Sequence, residues 1–384
     1  MLCGFLLVLC APRIAVGAES AAFDSTEAPP EAVSVAGELA RKRAKRFPPR
    51  LVVGRLIYLP KVYYSSTSGF GIGGQVIAPF RCTGSADTTP LSDYRAKGRI
   101  THKGQGKIET TANLFLGENV YYAKVRLAYT DLAFDYFGIG PNTPRSNAEE
   151  FRPRNYFAYV EFFRRVLPAL RVGVRTEANL VESISFEPEG LIASDQLADQ
   201  TNSRVFGFGG VIDLNTTDKR YAPTDGIHWQ MFGLWFDKDA GSEFDFNQYV
   251  IDLRNYIGLR RNHVLATQLF LFGTDGHVPF FRLGQLGGHT HSRGYKQARY
   301  RDKILASFQA EYRYPIYRRL GFTTFAGGAV VAPEVAGLKA KYLRPTVGMG
   351  LQFRTESLNG IVGRADVAFG QEDVRFDLSL DESF

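Results

Sequence analysis

From about residue 55 onwards, apolar and polar positions alternate with a period of two. Leu170, Val172, Val174, Thr176, Ala178 and Leu180 share one face of a run whose other face holds Arg171, Gly173, Arg175, Glu177 and Asn179. Ile304, Ala306, Phe308, Ala310 and Tyr312 alternate in the same way with Leu305, Ser307, Gln309, Glu311 and Arg313. Near the end, Val374, Phe376, Leu378 and Leu380 alternate with Arg375, Asp377, Ser379 and Asp381. Such alternation predicts strands with one apolar face. Many of the runs reach about ten residues, beyond the ~5–6 of an average soluble strand and long enough for a tilted strand to cross a bilayer. Backbone groups in hydrocarbon must all be paired, so strands of this kind close into a barrel. Tyr121, Tyr129, Tyr312 and Phe353 stand at run ends, where interfacial aromatic girdles belong.

About sixteen such runs are legible, centred near residues 61, 75, 98, 110, 125, 157, 175, 208, 232, 250, 267, 308, 324, 347, 364 and 379. Connections mostly alternate in length. Gly117-Glu118-Asn119, Arg260-Arg261-Asn262 and Tyr317-Arg318-Arg319 are tight, whereas residues 132–150, 184–201 and 274–301 form long loops. Short turns on the periplasmic side and long loops outside are the pattern of an outer-membrane barrel, and an even count puts both termini in the periplasm. The expected fold is therefore all-β: a transmembrane antiparallel barrel of about sixteen strands over residues 51–384. A soluble sandwich or propeller is the competing all-β fold, but no repeated blade motif is present.

The N-terminus reads differently. Residues 2–11 are apolar but too few to span a bilayer. Val16-Gly17-Ala18 before Glu19 fits a cleavage site, so residues 1–18 are expected to be a secretory signal peptide, although no positive charge precedes the apolar run. Leu9-Cys10 lacks the small residue expected before a lipoprotein cysteine. Residues 19–50 are expected to be a short periplasmic tether, with Val33, Ala36, Leu39 and Ala40 able to share one face of a brief helix.

Composition narrows the functional classes. The chain has 30 Phe, 19 Tyr and 39 Gly, with a mean hydropathy of −0.16. No run of about 18 apolar residues follows the N-terminus, which excludes a helical membrane protein. The net charge is +7, yet basic residues are spread among acidic ones, so nucleic acid is not an expected partner. The one dense basic cluster, Arg41, Lys42, Arg43, Lys45 and Arg46, reads as a solvated linker. Once Cys3 and Cys10 leave with the leader, Cys82 remains alone and is expected in a loop.

Catalytic signatures are lacking. The sequence has no Gly-x-Ser-x-Gly elbow, phosphate loop or metalloprotease helix. The expectation is no catalytic residue, no metal and no cofactor, hence no enzyme. Gly71, Gly73 and Gly74 lie inside a strand-like run and read as room for packing. His289 and His291 could share a metal in an extended segment, but no third ligand is identifiable, and loop packing is the simpler reading. Asp195 and Asp199, with Glu182, Glu187 and Glu189, make one long loop acidic, as a solvated loop or a site for bridging cations.

Residues 283–330 carry the most specific pattern. Gly287-Gly288 is followed by Arg293-Gly294-Tyr295, by Glu311-Tyr312-Arg313-Tyr314-Pro315, and by Gly321-Phe322 and Phe325. Two further stretches, Tyr136-Phe137-Gly138-Ile139-Gly140-Pro141 and Tyr221-Ala222-Pro223-Thr224-Asp225-Gly226, fit the same type of protein. Together they resemble the bacterial surface antigen superfamily, the outer-membrane barrels of the BamA and TamA type, over roughly residues 51–384. The resemblance implies a long loop folded into the lumen as a lock formed by Arg293, Gly294 and Tyr295, with Glu311 as the partner of Arg293. A family member ordinarily carries an acidic residue two positions after the Phe of the next strand, where this chain has Gly327. Phe376, Leu378, Leu380 and the terminal Phe384 resemble the barrel-assembly signal, with Glu382 at a position that is usually apolar. The short segment before the first run is expected to hold no counterpart of the family's periplasmic polypeptide-binding domains.

The resulting expectation is a Gram-negative outer-membrane protein acting in transport or in protein or lipid insertion, through a weak lateral seam between residues 56–64 and the last run. The alternative is a structural or surface-exposed barrel without transport. Expected partners are outer-membrane lipids, the barrel-assembly machinery during biogenesis, and unfolded protein or lipid substrates.

Overall fold

The computed structural model describes residues 52–53, 56–65, 69–82, 89–197, 200, 202–259, 262–288, 291–354 and 362–380. Sixteen long strands dominate. They are β1 (Ile57–Ser65), β2 (Gly69–Arg81), β3 (Ser92–Thr101), β4 (Gly106–Leu116), β5 (Tyr121–Asp131), β6 (Glu149–Arg165), β7 (Leu170–Ser185) and β8 (Ser203–Asn215), followed by β9 (Gly226–Phe236), β10 (Phe246–Gly258), β11 (Val264–Gly276), β12 (Ile304–Tyr317), β13 (Leu320–Ala332), β14 (Arg344–Arg354), β15 (Val362–Phe369) and β16 (Val374–Leu380). Each pairs antiparallel with the next in sequence, from β1–β2 through to β15–β16. This up-and-down order is the simplest way to build a barrel from a chain of hairpins. The signal peptide and tether expected over residues 1–50 lie outside the described residues.

Burial follows the alternation, with its ordinary sense inverted. Large apolar side chains point outward: Phe376 is 79% exposed, Val347 55% and Phe308 52%. Between them, Glu311, Arg313, Gln268 and Arg364 point inward and are buried. In water this would be a very costly surface. In a bilayer it is the stable arrangement, because hydrocarbon replaces water on the outer face.

Local sequence explains the irregularities. The register slips between Pro315 and Tyr317 and between Arg152 and Pro153, because proline cannot donate to a ladder. Gly73 permits close strand approach: a Cβ there would stand 2.1 Å from the Gly98 carbonyl oxygen. Glu118, Asn119 and Arg318 have positive φ in tight turns. Several connections, the four-residue turn 370–373 on the side of the long loops among them, break the expected alternation of lengths. Residues 102–105 make a short turn on the side of the long loops, and residues 216–225 make a long connection on the other. The latter folds against the inner wall, where the Tyr221 hydroxyl donates to Asp93 Oδ2 at 3.1 Å. Cys82 follows β2 directly, buried beside Ala112 and Leu114, with Sγ 3.4 Å from Ser92 Oγ.

The two ends of the lumen differ. On the side of the long loops, Tyr136, Phe151, Ile192, Leu197, Phe280 and Leu283 form an apolar cluster above the strands. The Tyr136 hydroxyl donates to Asp195 Oδ2 at 2.8 Å, so one residue of the acidic loop serves this cap. Toward the other end lies a polar cavity of about 860 Å³, reached by turn residues such as Asn119, Pro168 and Lys219.

Candidate functional site

The loop between β11 and β12 descends into the lumen. Its two limbs pair as short antiparallel segments, Gly284–Leu286 with Tyr300–Asp302. Leu286, Tyr295 and Tyr300 pack with Leu305, Ala329 and Val331 of the wall. This apolar footing holds the loop in place, and its tip carries Arg293.

Arg293 is buried, and its surroundings come from four strands. Nη1 donates to Glu311 Oε2 of β12 at 2.8 Å and to Asp366 Oδ2 of β15 at 3.3 Å. Nη2 donates to Gln309 Oε1 at 3.2 Å. The guanidinium lies 3.4 Å from the centroid of the Phe325 ring on β13. The Thr346 hydroxyl of β14 donates to the Arg293 carbonyl oxygen. Glu311 is also held by Arg313 at 2.7 Å and by Arg364 at 2.7 Å, and Arg364 reaches Asp366 at 2.9 Å. Three guanidinium groups thus surround two carboxylates, and the Phe325 face supports the surplus cation.

Gly327 explains part of this wiring. Its side of β13 faces inward, but a Cβ there would stand 2.5 Å from the Phe308 carbonyl oxygen and 2.9 Å from Gln309 Cβ. No carboxylate fits at this position, and the second acid reaches Arg293 from β15 instead. Gly294 has φ +97, and a Cβ on it would meet the Gly370 nitrogen at 2.9 Å, so glycine alone lets the loop tip touch the β15–β16 turn. The Tyr295 hydroxyl donates to the Pro345 carbonyl oxygen at 2.8 Å.

The same turn is grasped a second time. Glu372 accepts from Arg299 at 2.6 and 3.0 Å and from the Tyr300 hydroxyl at 2.5 Å. Arg299 Nη2 also donates to the Thr143 carbonyl oxygen at 2.9 Å. Burial pushes the Glu372 carboxyl upward, but hydrogen bonds from Arg299 and Tyr300 and the charges of Arg299 and Arg344 outweigh it, and the group titrates below its ordinary value.

Parity places Glu311 inward in both the sequence and the structure, and the structure brings Arg293, Gly294, Tyr295 and Glu311 into one region. Sequence reasoning missed Gln309, Phe325, Arg364, Asp366 and Glu372. Arg364 and Asp366 share the inward parity of their run, which was the available signal. Of the expected assembly signal, Phe376 and Leu378 point outward from β16, Leu380 ends that strand, and Phe384 lies outside the described residues. His291 stacks on Phe270 with centroids 3.7 Å apart, and His289 lies outside the described residues. No cluster of metal-ligating side chains is found among the described residues.

The two end strands form the other candidate feature. β1 and β16 approach within 8 Å between Cα atoms, but no ladder joins them among the described residues.

Residues 98–376, from within β3 to within β16, match the Omp85 superfamily domain. The chain belongs to the Omp85 superfamily. Three solved structures share the Omp85 barrel with it. BamA from Haemophilus ducreyi lacking POTRA domains 1-3 aligns over 91% of this chain and 77% of that one, at 15% identity and a TM-score of 0.56. CdiB from Acinetobacter baumannii aligns over 86% and 59%, at 11% identity and a TM-score of 0.55. CdiB from Escherichia coli aligns over 87% and 62%, at 8% identity and a TM-score of 0.55. The chain thus spans about three-fifths of each CdiB chain. None of the curated proteins matches it by sequence. As an Omp85 barrel it is a Gram-negative outer-membrane protein of the insertion or transport class.

Proposed function

We propose that this barrel passes its substrate, an unfolded polypeptide or a lipid, sideways into the outer membrane at the β1–β16 seam, and not through the lumen. One observation carries this reading: the end strands lack a shared ladder among the described residues, while Tyr136, Ile192 and Phe280 pack in an apolar cluster at the extracellular end. A missing ladder weakens one boundary of the sheet relative to the others, since each backbone hydrogen bond in hydrocarbon is costly to break. Arg293 and Glu372 restrain the β14–β16 side of that boundary through the lumen loop. The protein makes and breaks no covalent bond in this role. Its partners are membrane lipids and, during its own biogenesis, the assembly machinery that reads β16.

The test is a disulfide across the seam. Cysteines scanned between Tyr58 or Val62 and Phe376 or Leu378, in a Cys82→Ser background, should yield a cross-linked chain that no longer supports outer-membrane composition in a strain lacking the native protein. Reduction should restore it. A cross-linked chain as competent as the reduced one would eliminate the seam. If the deletion strain also shows no change in outer-membrane proteins or lipids, a structural barrel without transport is the correct reading.

A further inference from the structure

The periplasm-facing cavity is lined from many strands, among them β1 with Lys61 and β16 with Asp377. Its wall at β3–β5 carries a cluster of cations with too few carboxylates. Strand register places Lys97 directly opposite Glu109, and puts Lys124 and Arg126 on the adjoining strand. Glu109 is 2.7 Å from Lys97, 3.2 Å from Lys107 and 2.7 Å from Arg126. Among the described residues Lys124 has no carboxylate within 4.0 Å, and its ammonium stands 5.4 Å from the Tyr159 ring centroid. The nearby carboxylate Glu161 binds Arg175 through Oε1 at 2.5 Å, and its Oε2 is buried without a hydrogen-bond partner. Three cations therefore converge on Glu109, and Lys124 adds a fourth positive charge on the adjoining strand. Arg126 Nε is buried and has no hydrogen-bond partner.

A cluster of this kind destabilises an empty barrel. Like charges crowded in a confined lumen repel, and a buried guanidinium donor without an acceptor costs free energy. Neither penalty serves the ion-pair lattice around Arg293, which is built from other strands. Both are relieved by a bound polyanion. The cavity is about 860 Å³ and opens among periplasmic turn residues, so it has room for a group much larger than a chloride ion. Its lining is polar and aromatic, including Tyr122 and Tyr159.

We propose that Lys97, Lys124 and Arg126 of the cavity wall, with Lys107 beside them at Glu109, form a binding site for a phosphate ester presented from the periplasm. A phosphate monoester brings up to two negative charges and three acceptor oxygens, which matches an arginine fork flanked by ammonium groups. The ester is either a soluble phosphorylated compound or the headgroup of a phospholipid reaching in from the inner leaflet.

Titration calorimetry on the refolded full chain in a non-ionic detergent tests this. The probes are inorganic phosphate, glycerol 3-phosphate and monomeric dihexanoylphosphatidylglycerol, with glycerol and sodium chloride at matched ionic strength as controls. Glycerol 3-phosphate should bind more tightly than inorganic phosphate. The Lys97→Gln/Lys124→Gln double variant should bind at least tenfold more weakly, while Lys339→Gln, in an extracellular loop, should bind as the wild type does. Tighter binding of the short-chain lipid than of glycerol 3-phosphate assigns the site to a headgroup, and the reverse assigns it to a soluble ester. Removing cations from a crowded cluster should leave folding intact, which the heat-dependent gel shift checks. If the glutamines do disturb it, Lys124→Arg, which keeps the charge, should retain binding. The proposal is overturned if no phosphate probe binds at millimolar concentration, if chloride competes equally at matched ionic strength, or if the double variant binds unchanged. None of these outcomes bears on the seam, whose cross-linking test does not involve these four residues.

Discussion

Replacing Glu311 with glutamine should be the most damaging single substitution in the lumen, and worse than removing Arg293 itself. Glu311 is fully buried and touches three guanidinium groups, those of Arg293, Arg313 and Arg364, at 2.7–2.8 Å. Two charges about 4 Å apart attract by about 4 kcal/mol at an effective dielectric constant of about 20, an upper figure because dehydration offsets it. Three such terms do not add, but loss of one partner from a buried ion pair costs about 3–5 kcal/mol. Glutamine keeps the shape and leaves three cations facing Asp366 alone. The loss should therefore reach about 3–5 kcal/mol, which corresponds to a fall of about 4–7 °C in the unfolding midpoint for a domain of roughly this size. Arg293→Ala leaves Glu311 with two arginines and relieves the surplus charge. It forfeits the bond to Gln309 and the contact with Phe325, about 1–3 kcal/mol. The assay is the temperature at which the compact band in an unheated detergent gel converts to the unfolded band, alongside circular dichroism. Equal midpoints for Glu311→Gln and wild type, or a larger effect of Arg293→Ala than of Glu311→Gln, would refute this reasoning.

Three further outcomes are expected. Gly294→Ala forces a side chain into a left-handed backbone against the β15–β16 turn and should cost about 1–3 kcal/mol, read as a lower gel-shift temperature. Because Glu372 titrates below its ordinary value when folded, its contacts stabilise the latch above the unfolded carboxyl value and are lost as pH falls through the folded one. Protease cleavage of the extracellular loops on intact cells should therefore rise as pH is lowered through the acid range, and Glu372→Gln should be cleaved readily with no such dependence. Tyr136→Ala together with Phe280→Ala should loosen the extracellular cap and raise conductance in planar bilayers, and unchanged conductance would show that the cap does not close the lumen.

The strands were legible because alternation is a local property. Every run from β1 to β16 can be found by counting positions, and a one-residue error would turn Glu311 and Arg313 into the lipid. The long loop could also be placed between the eleventh and twelfth strands from Arg293-Gly294-Tyr295. What could not be read is which inward groups meet across the lumen. Asp366 lies 73 residues from Arg293, and only the descent of the loop onto the inner wall brings the two together. Glu372 gave no signal at all, since a four-residue turn between apolar runs looks like any exposed hairpin until Arg299 and Tyr300 descend onto it. The Glu109 cluster was visible only as scattered lysines and arginines. Its excess charge depends on register between neighbouring strands, as with Lys97 opposite Glu109.

The account rests on the direction in which successive side chains point, and spin labelling along β12 measures that directly. Cysteines placed one at a time from Ile304 to Tyr312 in a Cys82→Ser background, labelled in reconstituted bilayers, should show oxygen collision rates peaking at Ala306, Phe308 and Ala310. Collision with a water-soluble nickel chelate should be lowest at those same positions. Uniform exposure to the nickel reagent, or a repeat near 3.6 residues in place of two, would contradict it.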